Sequence, residues 1–174
     1  FYGLANMMAG DPATARAALS EAVTIAPKYD EASFMLAVSY LETGEVKLAD
    51  AQAQKLQSRN PSYPGLNMLM GDIRSRQGRH AEAIRYFEAH TKNNPQDAKG
   101  FVKLGAAQRA TGNLQQALAN AEKSFSISPD DEALALALSI DLSSRNYERA
   151  LSRINGQISR TPDRAELYIL LGRV

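Results

Sequence analysis

Few side chains in this sequence could do chemistry, and they are scattered. His80 and His90 are its two histidines, ten residues apart on one expected helix, a poor spacing for a shared face at about 100° per residue. With no cysteine there are no disulfides, thiol nucleophiles or cysteine-held zinc, and no His-Glu-x-x-His or comparable metal spacing occurs. Serines are many, but none lies in a Gly-x-Ser-x-Gly elbow, and the glycines stand singly rather than in a phosphate-cradling loop. Asp130 and Asp131 adjoin where a helix should begin, so capping and the helix dipole account for them. Both histidines are expected in surface or packing roles. We expect no catalytic residue, no metal and no cofactor.

The more suggestive charges are Lys99, Lys103 and Arg109 on one expected helix. Cations there could catch a partner's acidic side chains or terminal carboxylate; the plainer reading is a solvated helix face. The whole chain carries 20 Lys+Arg against 19 Asp+Glu over 174 residues. That balance gives no electrostatic ground for a nucleic-acid partner. No stretch approaches the roughly 20 apolar residues of a membrane span. The chain begins at Phe1 without a basic-then-apolar leader, so we expect an excised piece of a longer protein.

The elements that must position these residues follow from spacing. Gly10, Gly44, Gly78 and Gly112 are each 34 residues apart, as are Pro27, Pro61, Pro95 and Pro129, with Pro162 after 33. A third ladder is small: Gly3, Ala37, Gly71, Gly105, Ser139 and Gly172; a fourth runs through Ala15, Ala49, Ala83, Ala117 and Ala150. The glycines fall between two apolar-periodic runs, where a left-handed C-cap suits glycine. The prolines stop the second run, and the small residues let helices approach closely. Expected helix pairs are about 31–43 with 46–58, 64–77 with 80–93, 98–111 with 114–127, and 132–144 with 147–160. A helix opened by Asp11-Pro12 precedes them, and Ala165–Arg173 begins a pair that is not completed. The turn of the fifth pair is expected to be one residue short, with Asn146 in the glycine's place. Asp72, Arg74, Arg76 and Arg79 form a polar patch on the third pair.

These ladders, best carried by Leu104-Gly105, Gly112, Ala117 and Pro129, resemble the tetratricopeptide repeat over essentially the whole chain. The family's early aromatic appears as Phe101 and Tyr168 but as Ser33, Asn67 and Ala135 elsewhere; its late large residue is kept as Tyr40 and Leu142 and lost as Arg74 and Gln108. The resemblance implies an all-α, right-handed superhelix of about five helix pairs. It would form a single array with repeats near 1–29 (partial), 30–63, 64–97, 98–131, 132–164 and 165–174 (partial). It also implies a concave groove lined by first helices. Its positions map onto Leu4, Met7 and Met8; Phe34, Val38 and Leu41; Met68, Asp72 and Ser75; Lys99, Val102, Lys103, Ala106 and Arg109; and Leu136 and Ile140. Methionines suit such an adaptable surface. Lys99 and Lys103 resemble the end of the family's carboxylate clamp, but Phe34, Val38 and Leu69 stand where that clamp needs lysine and asparagines, so a chaperone clamp is not expected.

The expected function is a non-catalytic scaffold that binds a peptide or partner protein. The alternative is a structural or oligomerising segment of a larger multidomain protein whose activity lies elsewhere, one that associates end to end through open stacking faces. The alanine- and glutamine-rich style is similar to bacterial envelope repeat lipoproteins of exopolysaccharide export and PEP-CTERM sorting, which would favour periplasm or envelope over cytoplasm.

Overall fold

The computed structural model describes residues 12–172 and 174. Among them run ten helices and no strand: α1 Pro12–Ile25, α2 Asp30–Glu42, α3 Val46–Arg59, α4 Leu66–Arg76, α5 His80–Asn93, α6 Ala98–Ala110, α7 Leu114–Ile127, α8 Asp131–Ser143, α9 Tyr147–Arg160 and α10 Ala165–Leu171. The chain is thus all-α, built of helix pairs joined by tight turns. The expectations placed on Gly3, Leu4, Met7, Met8, Gly10 and Asp11 lie outside the described residues. Contacts group the chain into two compact units, one ending at Tyr86 and the other starting at Phe87, the division falling inside α5.

The first helices α2, α4 and α6 end the same way. Gly44, Gly78 and Gly112 are left-handed, with φ of 82°, 73° and 81°. The amide after each donates back across the turn, Glu45 to the Tyr40 carbonyl, Arg79 to Arg74 and Asn113 to Gln108. This is the Schellman arrangement, which satisfies carbonyls that the helix end would orphan. In the fifth pair the Asn146 amide donates to the Asp141 carbonyl at 2.8 Å, and the left-handed residue is Arg145, at φ 56°. The expectation for Asn146 is therefore corrected: it has φ −94° and is the N-cap of α9.

That bond also relocates the missing residue. The turn before α9 is full length; the shortening lies between α7 and α8. Asp97 caps α6 by accepting from the Lys99 amide at 3.1 Å, and it stands two residues after Pro95. Asp130 caps α8 by accepting from Ala133 at 2.8 Å, and it directly follows Pro129. Asp141 is therefore the counterpart of Tyr40, Arg74 and Gln108, a place the ladder gave to Leu142. Leu138, buried, stands in the small-residue ladder after Gly105, not Ser139.

Within the first unit, Ala37, Leu41, Ala49, Ala53, Leu56, Leu66, Leu69, Met70 and Ile73 form one core from α2, α3 and α4. Fully burying a leucine or isoleucine contributes roughly 1.5–3 kcal/mol, so Leu56, Leu66 and Ile73, each at most 1% exposed, anchor it. The end of α3 is tied to the start of α2: Arg59 Nε donates to Asp30 Oδ1 at 2.6 Å and Asn60 Nδ2 to Asp30 Oδ2 at 2.8 Å. The hydrogen bond from Asn60, then that from Arg59, hold the Asp30 carboxyl below the usual carboxylate range. In the second unit Val102, Ala117, Ala121, Ala133, Leu136, Ala137 and Ile140 form a core around α6–α8, and Leu134, Leu138, Ala150, Ile154 and Leu167 form another around α8–α10. Ser124 Oγ, fully buried, donates to the Ala98 carbonyl at 2.8 Å, and Arg164 Nη2 pairs with Asp131 at 2.7 Å.

Candidate partner-binding surface

The candidate positions on the first helices divide by accessibility. In the first unit Phe34, Val38, Met68, Asp72 and Ser75 are half-buried, whereas Leu41 is 6% exposed and belongs to the core. Phe34 stacks on Tyr63 with ring centroids 5.2 Å apart and planes tilted by 39°. The ring has room because Gly65 precedes α4: a Cβ there would lie 3.1 Å from Phe34 Cζ. Gly65, at φ 80°, also explains why α4 starts at Leu66, later than the expected Pro64. Burial first, then the charges of Glu31 and Asp30, push the Tyr63 hydroxyl pKa up. Tyr63 and Gly65 were not singled out in the sequence, although Tyr-Pro-Gly is a readable turn signal.

In the second unit Lys99, Ala106 and Arg109 are exposed and Lys103 is half-buried. Val102, Leu136 and Ile140 are 3%, 8% and 1% exposed and pack together in the core. In the observed register the counterparts of Val102 and Ala106 on α8 are Ala135 and Ser139, both half-buried. The most accessible of these positions are thus Lys99, Ala106 and Arg109. Arg109 sits in the last turn of α6, where a cation also meets the negative end of the helix dipole. Leu69, which the carboxylate clamp would need as a polar residue, is 5% exposed and in the core.

His90 is buried in a packing role. Its Nε2 lies 2.7 Å from Asp97 Oδ2. Burial opposes ionisation of Asp97, yet the hydrogen bonds from His90 and from the Gly100 and Lys99 amides outweigh it, and the carboxyl titrates below its usual range.

In α4, α6 and α8 the late position, which the sequence shows as a lost large residue in the third and fourth pairs, holds a polar lock, whereas Tyr40 of α2 packs on the apolar core. Arg74 is 5% exposed, and its Nη1 donates to Asp50 at 2.7 Å and to Gln77 at 2.9 Å; Glu82 lies 3.5 Å from its Nε. Burial works against the Asp50 charge, but the bonds from Arg74, Gln77 and Gln54 prevail and lower its pKa. Gln108 accepts from Asn120 at 2.7 Å and reaches Gln116 at 3.5 Å. Asp141, fully buried, accepts from Arg149 at 2.5 Å and from Arg153 at 3.2 Å. In the last two pairs the partners stand eight and twelve residues on, the third and seventh positions of the second helix, so one geometry holds amides in one pair and a carboxylate with two guanidiniums in the next. The three arginines of the expected polar patch bond within the chain, although Arg76 and Arg79 remain exposed. Arg74 is in this lock, Arg76 donates to the Leu41 carbonyl at 2.8 Å, and Arg79 pairs with Glu82 at 2.6 Å.

Among the described residues no group of three or more His, Cys, Asp or Glu could hold a metal ion, and no helix is long and apolar enough to cross a membrane. Models of the tetratricopeptide repeat match residues 6–70 and 68–132. No curated protein sequence matches the chain. Among solved structures it is similar to MamA from Desulfovibrio magneticus RS-1, with a TM-score of 0.85 at 16% identity over 93% of each chain. It is also similar to TTC0263, a thermophilic tetratricopeptide protein from Thermus thermophilus, with a TM-score of 0.73 at 20% identity over 96% of this chain and 92% of that one. A third is YrrB, described as a tetratricopeptide protein with an unusual peptide-binding site, with a TM-score of 0.78 at 17% identity over 99% and 89%. At such identities the likeness is one of fold. Matched by two models of one repeat across residues 6–132, the chain belongs to the tetratricopeptide repeat family.

Proposed function

We propose that the chain is a non-catalytic scaffold that holds a peptide or partner protein on the exposed side of its first helices. One observation carries this: where the family's groove positions fall, Phe34, Val38 and Met68 are half-buried and Lys99 and Arg109 exposed, rather than all being sealed in the core. Apolar contact with the first group would supply affinity, and the cations would set direction against an acidic segment. The peptide-binding site named for YrrB supports a peptide as one form of the partner. The chain's charge balance, 20 against 19, argues against nucleic acid. The test is binding of a purified partner, recovered with the intact parent protein, to Phe34→Ala and Lys99→Glu/Arg109→Glu variants; unchanged affinity in both overturns the surface.

The alternative, end-to-end association, draws on Tyr168 and Ile169 of α10, which are 49% and 60% exposed. Light scattering over a concentration range tests it, and a strict monomer contradicts it. A bacterial envelope setting beside exopolysaccharide export or protein sorting is a narrower proposal, supported by the alanine- and glutamine-rich helices. Fractionation of the parent protein tests it, and recovery from the cytosol overturns it.

A further inference from the structure

A pocket of about 130 Å³ opens in the second unit among α7, α8 and α9, with Ala121, Phe125, Ala133 and Ala137 inside and Glu122 and Arg153 beside it. Its cause is visible by comparison with the first unit, using the Schellman bonds to fix register. Counting back from Asp141 and from Arg74, Ala133 and Ala137 correspond to Leu66 and Met70, which are 1% and 0% exposed in the first core. Arg153, seventh in α9, corresponds to Tyr86, seventh in α5. Tyr86 packs on that first core, and its hydroxyl accepts from Gln57 Nε2 at 3.3 Å. At these three positions the second unit therefore lacks the leucine, methionine and tyrosine of the first, while Leu134 and Phe125, at the places of Asn67 and Gln57, line the pocket without filling it. Arg153 does not refill the space, because its guanidinium is drawn to Glu122 at 2.8 Å and to the buried Asp141 at 3.2 Å.

We propose that this pocket is a docking site for a single aromatic side chain, tyrosine or phenylalanine, of a partner polypeptide. The chain's own precedent selects the chemistry: in the first unit the corresponding space is closed in part by a tyrosine. The size agrees, since an apolar cavity of ~150 Å³ admits benzene. The rim offers a guanidinium, which favours a ring face, and a carboxylate able to accept from a phenol hydroxyl. Two of the three walls are second helices, so this site shares no residue with the first-helix surface proposed above, and either can fail without the other.

The experiment titrates the ¹⁵N-labelled chain with p-cresol and with Gly-Gly-X-Gly-Gly peptides in which X is tyrosine, phenylalanine or lysine. Saturable shifts at the amides of Ala121, Phe125 and Ala137 are expected from p-cresol and the two aromatic peptides, in the range of about 1 mM, and not from the lysine peptide. Ala137→Met, which restores the methionine of the first unit, should weaken p-cresol binding at least about tenfold. Ala133→Leu, which restores its leucine, should do the same if the methionine variant does not fold. Absence of saturable shifts at these amides, equal response to the lysine peptide, or unchanged binding in a folded filled variant overturns the proposal.

Discussion

A Cβ on Gly100 would lie 2.8 Å from Cδ2 of His90, so the glycine is what lets the imidazole reach Asp97. The corresponding places in the first unit hold Leu56 and Leu66, both in its core; one apolar pair has become a histidine with a glycine. The consequence is electrostatic. Because the Asp97 carboxyl is lowered in the folded chain, its contribution is fully present above the unfolded carboxylate range near pH ~4 and is lost as pH falls through the folded value. Gly100→Ala pushes the ring off Asp97. It should cost about 1–3 kcal/mol at neutral pH, as overpacking does, and the variant should also lose less stability than the parent on acidification. Urea unfolding of both chains at neutral and acid pH reads the two effects together. An equal loss on acidification would show that His90 does not hold Asp97.

At the level of elements, the turn between first and second helices is one design used four times, with Arg145 as its exception. Holding a residue with a Cβ in the left-handed region costs roughly 1–2 kcal/mol, and Gly44, Gly78 and Gly112 avoid that cost. Arg145→Gly should therefore stabilise the chain by about 1 kcal/mol and raise Tm by roughly 2–4 °C. A thermal melt that is unmoved or lowered would mean that the Arg145 side chain contributes something the backbone does not show. The helices themselves were legible in the sequence, because the glycine and proline ladders mark where each one stops. The register of α8 was not. Pro129 keeps the 34-residue spacing while the cap behind it has lost a residue, and the missing glycine at Arg145 drew the gap to the wrong turn. The readable signal was an aspartate directly after Pro129 where Pro95 has one two residues on. The buried locks were beyond reach, since nothing in spacing says that Arg74 turns inward to Asp50 and not outward to water.

Across the whole molecule the net charge is nearly zero, yet the accessible candidate residues of the two units differ in kind. They are apolar at Phe34, Val38 and Met68 in the first unit and cationic at Lys99 and Arg109 in the second. Exposed charges act over about one Debye length, ~8 Å at physiological salt, and they act mainly on encounter. Apolar contacts form after encounter and govern escape. If the proposed surface is the one used, the two groups must separate in binding kinetics. Lys99→Glu/Arg109→Glu should slow association by roughly tenfold at low salt, with most of the difference gone near ~0.5 M salt, while dissociation changes little. Phe34→Ala should leave association within about twofold and speed dissociation. Surface plasmon resonance with the purified partner at several salt concentrations resolves both. A cation variant that changes only dissociation, or a Phe34 variant that changes only association, would place the partner elsewhere on the chain.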